Sequence, residues 1–120
     1  MAEVLRFERF LKQAQQGRAA SSGRRRHVYF DRRELQLLVG LYSENVMAGE
    51  WRDYALDHFE GVALFSIFRR SEERPLYVVV KRQTGSGYDY VVFEGDQPRT
   101  NHSSLAGALN FFRRRLKLVE

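Results

Sequence analysis

Apolar and polar positions divide the middle of the chain, from Gly61 to Gly95, into three predicted β-strands. The three apolar runs are Val62–Phe68, Leu76–Val80 and Tyr88–Phe93. Each run has the length of a strand and is rich in the β-branched and aromatic residues that suit a pleated, buried surface. Two polar clusters, Arg70–Pro75 and Thr84–Gly87, separate the runs as turns.

The segments next to these runs are less regular. Trp51–Phe59 fits either a short helix or an edge strand, and we favour a strand that pairs with Val62–Phe68 through a turn at Glu60 and Gly61. Asp96–His102 is largely polar, so we interpret it as a loop. The predicted sheet is therefore antiparallel, with three or four strands.

A strongly marked helix precedes the sheet. Asp31 and Glu34 have the spacing of a capping box, in which each side chain bonds the backbone N–H of the other residue. Phe30 and Leu35 are spaced to form a hydrophobic staple around this cap, and Gly49 can end the helix. The residues predicted to face the core are Leu35, Leu38, Val39, Tyr42 and Val46.

Two more helices are predicted at the ends of the chain. Residues 1–16 contain an amphipathic pattern formed by Val4, Phe7, Phe10, Leu11 and Ala14. Residues 17–27 form a flexible basic linker, and residues 28–120 form a single domain. The last helix begins at Ser103 or Ser104 and has an apolar face made of Leu105, Leu109, Phe112 and Leu116. The predicted fold is α+β in the order α-α-β-β-β-α, with helices flanking the sheet.

Both faces of this sheet are apolar. In the first run, Val62 and Leu64 alternate with Ala63 and Phe65, although a sheet with one wet face alternates apolar and polar residues. The second face therefore needs a cover. The candidates are the N-terminal helix, a second subunit or a partner.

Composition limits the class of protein. A chain of 120 residues with 43% hydrophobic and 29% charged residues corresponds to one globular domain. It has no cysteine, which excludes disulfides and thiolate metal sites. The N-terminus lacks the apolar run of a signal peptide, and no stretch is long and apolar enough to span a membrane. We therefore expect a cytoplasmic protein without a membrane partner.

The net charge of +5 is concentrated at the two ends of the chain. Residues 1–33 carry nine Lys or Arg against three Asp or Glu, residues 34–112 carry seven against eleven, and residues 113–120 carry four against one. A basic arm and a basic helix end can both contact a polyanion, or both can be simple solvated segments. The candidate nucleic-acid-binding residues are Arg24, Arg25, Arg26, Arg113, Arg114, Arg115 and Lys117.

A second candidate surface combines aromatic residues with arginine, the types that dominate binding hot spots. Its members are Trp51, Arg52, Tyr54 and Tyr77. The simpler interpretation, which we favour, is that Trp51 anchors the end of the helix while Arg52 pairs with Asp53. Tyr77, Tyr88 and Tyr90 can instead stack on bases if their face of the sheet is open.

No residue pattern supports catalysis. His27, His58 and His102 lack metal-ligand spacing. His58 next to Asp57 fits a surface pair better than a base and its partner, and His102 lies beside the helix cap at Ser103 and Ser104. We therefore expect no enzyme activity, no cofactor, no metal and no small-molecule substrate.

Four motifs carry a family resemblance. They are YFDRREL at Tyr29–Leu35, AGEWRDYAL at Ala48–Leu56, FSIFRR at Phe65–Arg70 and PLYVVVKR at Pro75–Arg82. With them the chain resembles a family of small alphaproteobacterial proteins catalogued as a domain of unknown function. The match continues more weakly through Tyr88–Val119 and leaves out residues 1–27. The resemblance implies a bacterial cytoplasmic protein and brings no activity or site residues with it.

These observations favour a small non-enzymatic binding or regulatory module whose ligand is RNA or DNA. The order of helix, three strands and basic helix is similar to that of double-stranded-RNA-binding domains, although their lysine cluster is absent from Asn101–Leu105. The alternative is a protein-interaction or adaptor module, or a homodimer, that uses the apolar outer face of the sheet. An enzyme is the third hypothesis.

Overall fold

A computed structural model describes residues 26–70 and 74–119, with residues 114–119 described by their backbone. The predicted N-terminal helix of residues 1–16 lies outside the described residues, as does the linker up to residue 25. The elements in chain order are α1 (Arg32–Met47), β1 (Asp53–Phe59), β2 (Val62–Phe68), β3 (Tyr77–Gln83), β4 (Tyr88–Glu94), β5 (Gln97–His102) and α2 (Leu105–Val119). No helix among the described residues is long and apolar enough to cross a membrane.

The five strands form one antiparallel sheet in the order β1-β2-β3-β4-β5, in which each strand pairs with its neighbours in sequence. Gly61 and Gly95 have positive φ angles, which glycine adopts without strain, and they stand in the turns before β2 and β5. The predicted α+β class, the antiparallel sheet and the strand at β1 are confirmed. The predicted number of strands is wrong, because the sheet has a fifth.

The extra strand is β5, for which the polar pattern predicts a loop. It is an edge strand that pairs with β4 alone, and most of its side chains are exposed. An edge strand needs no apolar alternation, and it tolerates proline, here Pro98. The pairing of β5 with β4 also has a register shift between Val92 and Phe93. Its backbone pairing therefore has no signal in the apolar pattern.

Both described helices pack on one face of the sheet, which we call the helix face. Its buried cluster combines Phe65, Ile67 and Val79 from the strands with Leu38 from α1 and Phe112 from α2. As predicted, Leu105 and Leu109 also lie on the buried side of α2.

The buried side of α1 differs from the predicted stripe. Val39 and Val46 are exposed, whereas Glu34 and Asn45 are buried. Polar side chains can occupy these positions because they are hydrogen-bonded. Asn45 donates to the Leu41 carbonyl at 2.8 Å, and Glu34 has partners that are described below.

The opposite face of the sheet, which we call the second face, is also buried. Its cluster consists of Val62, Leu64, Val78, Val80, Val91 and Phe93. None of these side chains is more than 5% exposed. These six side chains are therefore shielded from solvent, and the outer face of the sheet needs the cover that its apolar pattern predicts.

The two ends of the sheet are distinct. At one end, the Gln83 end, lie the Glu60–Gly61 turn and the end of β3. At the other, the Tyr77 end, lie the start of β1 and the start of β3. Both helices run from the Gln83 end to the Tyr77 end, since α1 begins over Lys81 and Phe112 of α2 packs on Tyr77.

Candidate nucleic-acid interface

The described chain begins at the Gln83 end, where backbone bonds tie it to the sheet. The Arg26 carbonyl accepts from the Gly61 N–H at 2.9 Å, and the Arg26 N–H donates to the Gln83 side chain at 3.2 Å. The Val28 N–H donates to the Phe59 carbonyl at 3.1 Å. Residues 26–28, which overlap the predicted flexible linker, are thus held against the turn between β1 and β2.

Side chains alternate along the segment that leads into α1. Val28 and Phe30 are buried in the core, whereas His27 and Tyr29 point outward. Tyr29 is 57% exposed. The centroid of its ring lies 6.1 Å from that of His27 and 4.8 Å from that of His58. The segment therefore presents an aromatic ring that has two imidazole neighbours and is still open to solvent.

The predicted capping box fixes the start of α1 and is confirmed. The Glu34 N–H donates to Asp31 Oδ1 at 2.8 Å, and the Asp31 N–H donates to Glu34 Oε1 at 2.9 Å. These bonds satisfy two backbone donors that a helix N-terminus otherwise leaves free. Because the cap fixes the backbone, it also fixes where the first helical residues project.

A buried polar network anchors the same segment to the sheet. Lys81 Nζ, on a residue 5% exposed, donates to Glu34 Oε1 at 2.7 Å and to the Tyr29 carbonyl at 2.8 Å. The Tyr90 hydroxyl donates to the other oxygen of Glu34. Lys81 Nζ also lies 4.4 Å from the centroid of the Tyr88 ring, a cation–π distance. Burying these charges requires such paired geometry.

Burial raises the pKa of Tyr90, and its hydrogen bond to Glu34 and the charge of that carboxylate raise it further. Tyr90 therefore stays neutral and acts as a hydrogen-bond donor at ordinary pH. Each charged member of the network is used to hold residues 29–34 in place. The network is a rigid support for this segment, and it explains why a lysine lies in the core.

Arg32 and Arg33 are exposed in the first turn of α1. Cations there oppose the positive end of the helix dipole, generally at a cost of about 0.3–1 kcal/mol. Within residues 26–70 and 74–119 neither guanidinium has an ion-pair partner. Helix stability therefore does not account for them. We call Arg26, His27, Tyr29, Arg32 and Arg33 the N-terminal basic patch.

The candidate nucleic-acid-binding residues from the sequence do not form one surface. Arg26 lies at the Gln83 end, whereas Arg113 follows Phe112 and lies exposed towards the Tyr77 end. A strand of this length separates the two by about 23 Å. Arg24 and Arg25 lie outside the described residues, as do the side chains of Arg114, Arg115 and Lys117.

The candidate protein-interaction residues are also divided. Trp51 is 4% and Tyr77 is 9% exposed, and both pack against Phe112 in the core, so neither offers a surface to a partner. Arg52 and Tyr54 are exposed. The expected Arg52–Asp53 ion pair is not formed, since the Asp53 side chain accepts from the Tyr54 N–H at 2.8 Å instead.

The three candidate tyrosines of the sheet do not form a stacking platform for bases. Tyr77 and Tyr90 are buried under the helices, and of the three candidate tyrosines only Tyr88 is exposed. The exposed aromatic residue next to cations is Tyr29, which the sequence pattern did not single out. The sequence did contain a signal for this patch. Two arginines fall in the first turn of a well-capped helix, where no local interaction explains their presence.

His58 does not face the carboxylate that was considered as its catalytic partner. Asp57 and His58 are neighbours on a strand, so their side chains point to opposite faces. Ser104 caps α2, as its hydroxyl accepts from the Gly107 N–H at 3.1 Å. Among the residues that the structure describes, no three metal-binding side chains cluster together.

A family model described as "Protein of unknown function (DUF2794)" matches residues 28–93, more than half of the chain. The chain belongs to this family. The stretch matched by the family model contains α1, strands β1 to β4, Tyr29, the arginines of the first helical turn and the buried network, and it ends before β5 and α2. No curated protein and no solved structure matches the chain.

Proposed function

We propose that the chain is a non-enzymatic module that binds nucleic acid through the N-terminal basic patch. The observation that carries the proposal is the pair of exposed arginines, Arg32 and Arg33, in a helical turn whose dipole disfavours them. They follow an exposed tyrosine on a rigid base.

Phosphate contact accounts for the cations. Arg26 and the two helix arginines project from one end of the sheet, and Arg24 and Arg25 immediately precede them in the sequence. The neighbouring ion pairs Lys81–Glu34 and Arg82–Asp89 are each neutral, so they do not cancel this positive charge. A cluster of exposed arginines attracts a polyanion and releases its condensed counterions on binding.

Base stacking accounts for Tyr29. Single-stranded nucleic acid is commonly bound by a basic surface that tracks the backbone and by aromatic rings on which bases stack. His27 and His58 support the Tyr29 ring, and Lys81 holds its backbone carbonyl. A ring fixed in this way loses little conformational entropy when a base stacks on it. The ligand that we favour is therefore an unpaired stretch of RNA or DNA.

The test is a titration of fluorescent single-stranded RNA and DNA oligonucleotides, followed by polarisation at several salt concentrations. In the double variant Arg32→Gln/Arg33→Gln we expect weaker binding and a salt slope flatter by about one to two units, since each phosphate that is no longer neutralised removes about 0.7. The matched control is Arg52→Gln/Arg113→Gln, which removes the same charge from exposed positions towards the Tyr77 end. It should bind like the wild type.

Two results would contradict the proposal. One is the absence of binding at low salt with folded protein. The other is an equal effect of the two double variants, which would mean that net charge and not this patch attracts the oligonucleotide. Tyr29→Ala separates stacking from charge, because it should weaken binding by about 1–3 kcal/mol without changing the salt slope.

A protein-interaction module is the second candidate, with a different surface from the one expected. Tyr42 of α1 packs on Tyr54 of β1 at 4.8 Å, which brings this flank of the helix to the sheet edge. Val39, Val46, Tyr54 and Leu56 are exposed on these two elements. Val39→Glu should abolish co-purification of a protein partner if this surface binds one, and should leave oligonucleotide binding unchanged.

A further inference from the structure

The second face of the sheet has the properties of a packed interface. Its six apolar side chains form one buried cluster, to which no described side chain of α1 or α2 contributes. If such a face were open to solvent, it would be an extended apolar patch, which monomeric proteins rarely expose. The cover must therefore come from beyond the two described helices.

We propose that the N-terminal segment of the same chain, residues 3–15, covers the second face. Its apolar residues follow the spacing of one helix face: Val4, Phe7, Leu11 and Ala14. A helix of this length measures about 20 Å. The strands β2 and β3 measure about 23 Å. One such helix is therefore long enough to lie along the cluster from end to end.

The point at which the described chain begins places this segment within reach. Arg26 is bonded to Gly61, which immediately precedes Val62 of the second face. It is also bonded to Gln83, three residues after Val80 of the same cluster. Residues 16–25 can span up to about 33 Å when extended. That reach exceeds the length of the strands, so the segment can lie on the second face in either direction.

A tethered segment has an advantage over a second copy or a foreign partner. Its effective concentration near the face is on the order of millimolar, because the linker is short. Polar residues such as Arg9 and Gln13 fall on the opposite side of the predicted helix and remain in water. The occupant and the face are thus complementary in length, position and polarity.

The absence of cysteine in the chain allows a direct test. Val91→Cys places one thiol among the buried side chains of the second face, and Ser86→Cys places one in an exposed turn. Into each we would introduce either Leu11→Asp, on the apolar side of the segment, or Gln13→Asp, which adds the same charge on its polar side. The measurement is the rate of modification by a soluble thiol reagent, with the molecular mass determined by light scattering.

We expect the thiol of Val91→Cys, the face thiol, to be protected in the parent and with Gln13→Asp. With Leu11→Asp its modification should be faster by about tenfold or more, which corresponds to about 1.4 kcal/mol of weakened docking. The thiol of Ser86→Cys should react at the same rate in all three backgrounds, which controls for global unfolding. In a variant that lacks residues 1–16, an added peptide of those residues should restore protection to the face thiol.

Two outcomes would overturn the proposal. A monomer whose face thiol reacts equally in all backgrounds would show that the segment is not the cover. A dimer whose face thiol stays protected with Leu11→Asp would assign the face to a second copy. Oligonucleotide binding by the N-terminal basic patch is measured separately, so failure of one proposal does not decide the other.

Discussion

The buried ion pair between Lys81 and Glu34 makes a quantitative prediction. Lys81→Met removes the ammonium and leaves the Glu34 carboxylate in the core, where the pair has an N···O distance of 2.7 Å and side chains only 6% and 11% exposed. Removing one partner of a buried pair generally costs about 3–5 kcal/mol, because the remaining charge is desolvated and uncompensated. Glu34→Gln should cost a similar amount for the same reason.

The double variant Glu34→Gln/Lys81→Met should be much less destabilised than the sum of the two single variants. It leaves no charge in the network, and the Gln amide oxygen can still accept the Asp31 N–H that Glu34 Oε1 accepts at 2.9 Å. Replacement of both charges of a buried pair is often neutral or stabilising. The expected coupling free energy is therefore about 3 kcal/mol or more.

Urea denaturation followed by circular dichroism would measure this cycle at neutral pH. A domain with a total stability of about 5–15 kcal/mol can lose most of it in one single variant, so the native fraction without urea is a second readout. The reasoning would be refuted if each single variant lost less than about 1 kcal/mol, or if the two losses were additive. Arg82→Gln is the matched control, because the Arg82–Asp89 pair is more exposed and should contribute much less.

Three further predictions concern neighbouring residues. Asp31→Ala should lose about 0.5–2 kcal/mol in urea denaturation, whereas Asp31→Ser, which keeps a cap, should lose less; equal losses would argue against the cap. The pKa of Tyr90 is raised in the folded state. Its contribution to the free energy of unfolding is therefore complete below the unfolded-state pKa of about 10 and is lost as the pH rises above that value. Tyr90→Phe should therefore be less stable at neutral pH and lose less on going to alkaline pH, and unfolding measured at both pH values checks this. Arg32→Gln/Arg33→Gln should raise the melting temperature slightly while it weakens oligonucleotide binding; a lowered melting temperature would show that these arginines stabilise the fold.

Features that depend on near neighbours in the chain were readable from the sequence. The capping box of Asp31 and Glu34, the turn at Gly61 and the strand Val62–Phe68 are all confirmed. Each results from interactions within a few residues, or from a side-chain type that suits a buried strand. The cap of α2 at Ser104 belongs to the same class.

Features that depend on distant residues required the tertiary structure. β5 exists because β4 offers it a backbone edge, and its own side chains carry no strand pattern. Trp51 and Tyr77 have the composition of a binding surface, yet packing against Phe112 buries them. The antiparallel meander and the direction of α2 separate Arg26 from Arg113, although the charge pattern alone makes them equivalent.

Glu34 shows both cases in one side chain. Its role in the cap concerns a residue three positions away and follows from sequence spacing. Its bonds to Lys81 and Tyr90 join residues 47 and 56 positions apart, and they exist because the sheet register brings β3 and β4 beneath the first turn of α1. In the sequence, a carboxylate at that position is typical of a surface residue. Only the packing of the helix on the sheet buries it, and burial then requires a cation and a hydroxyl beside it.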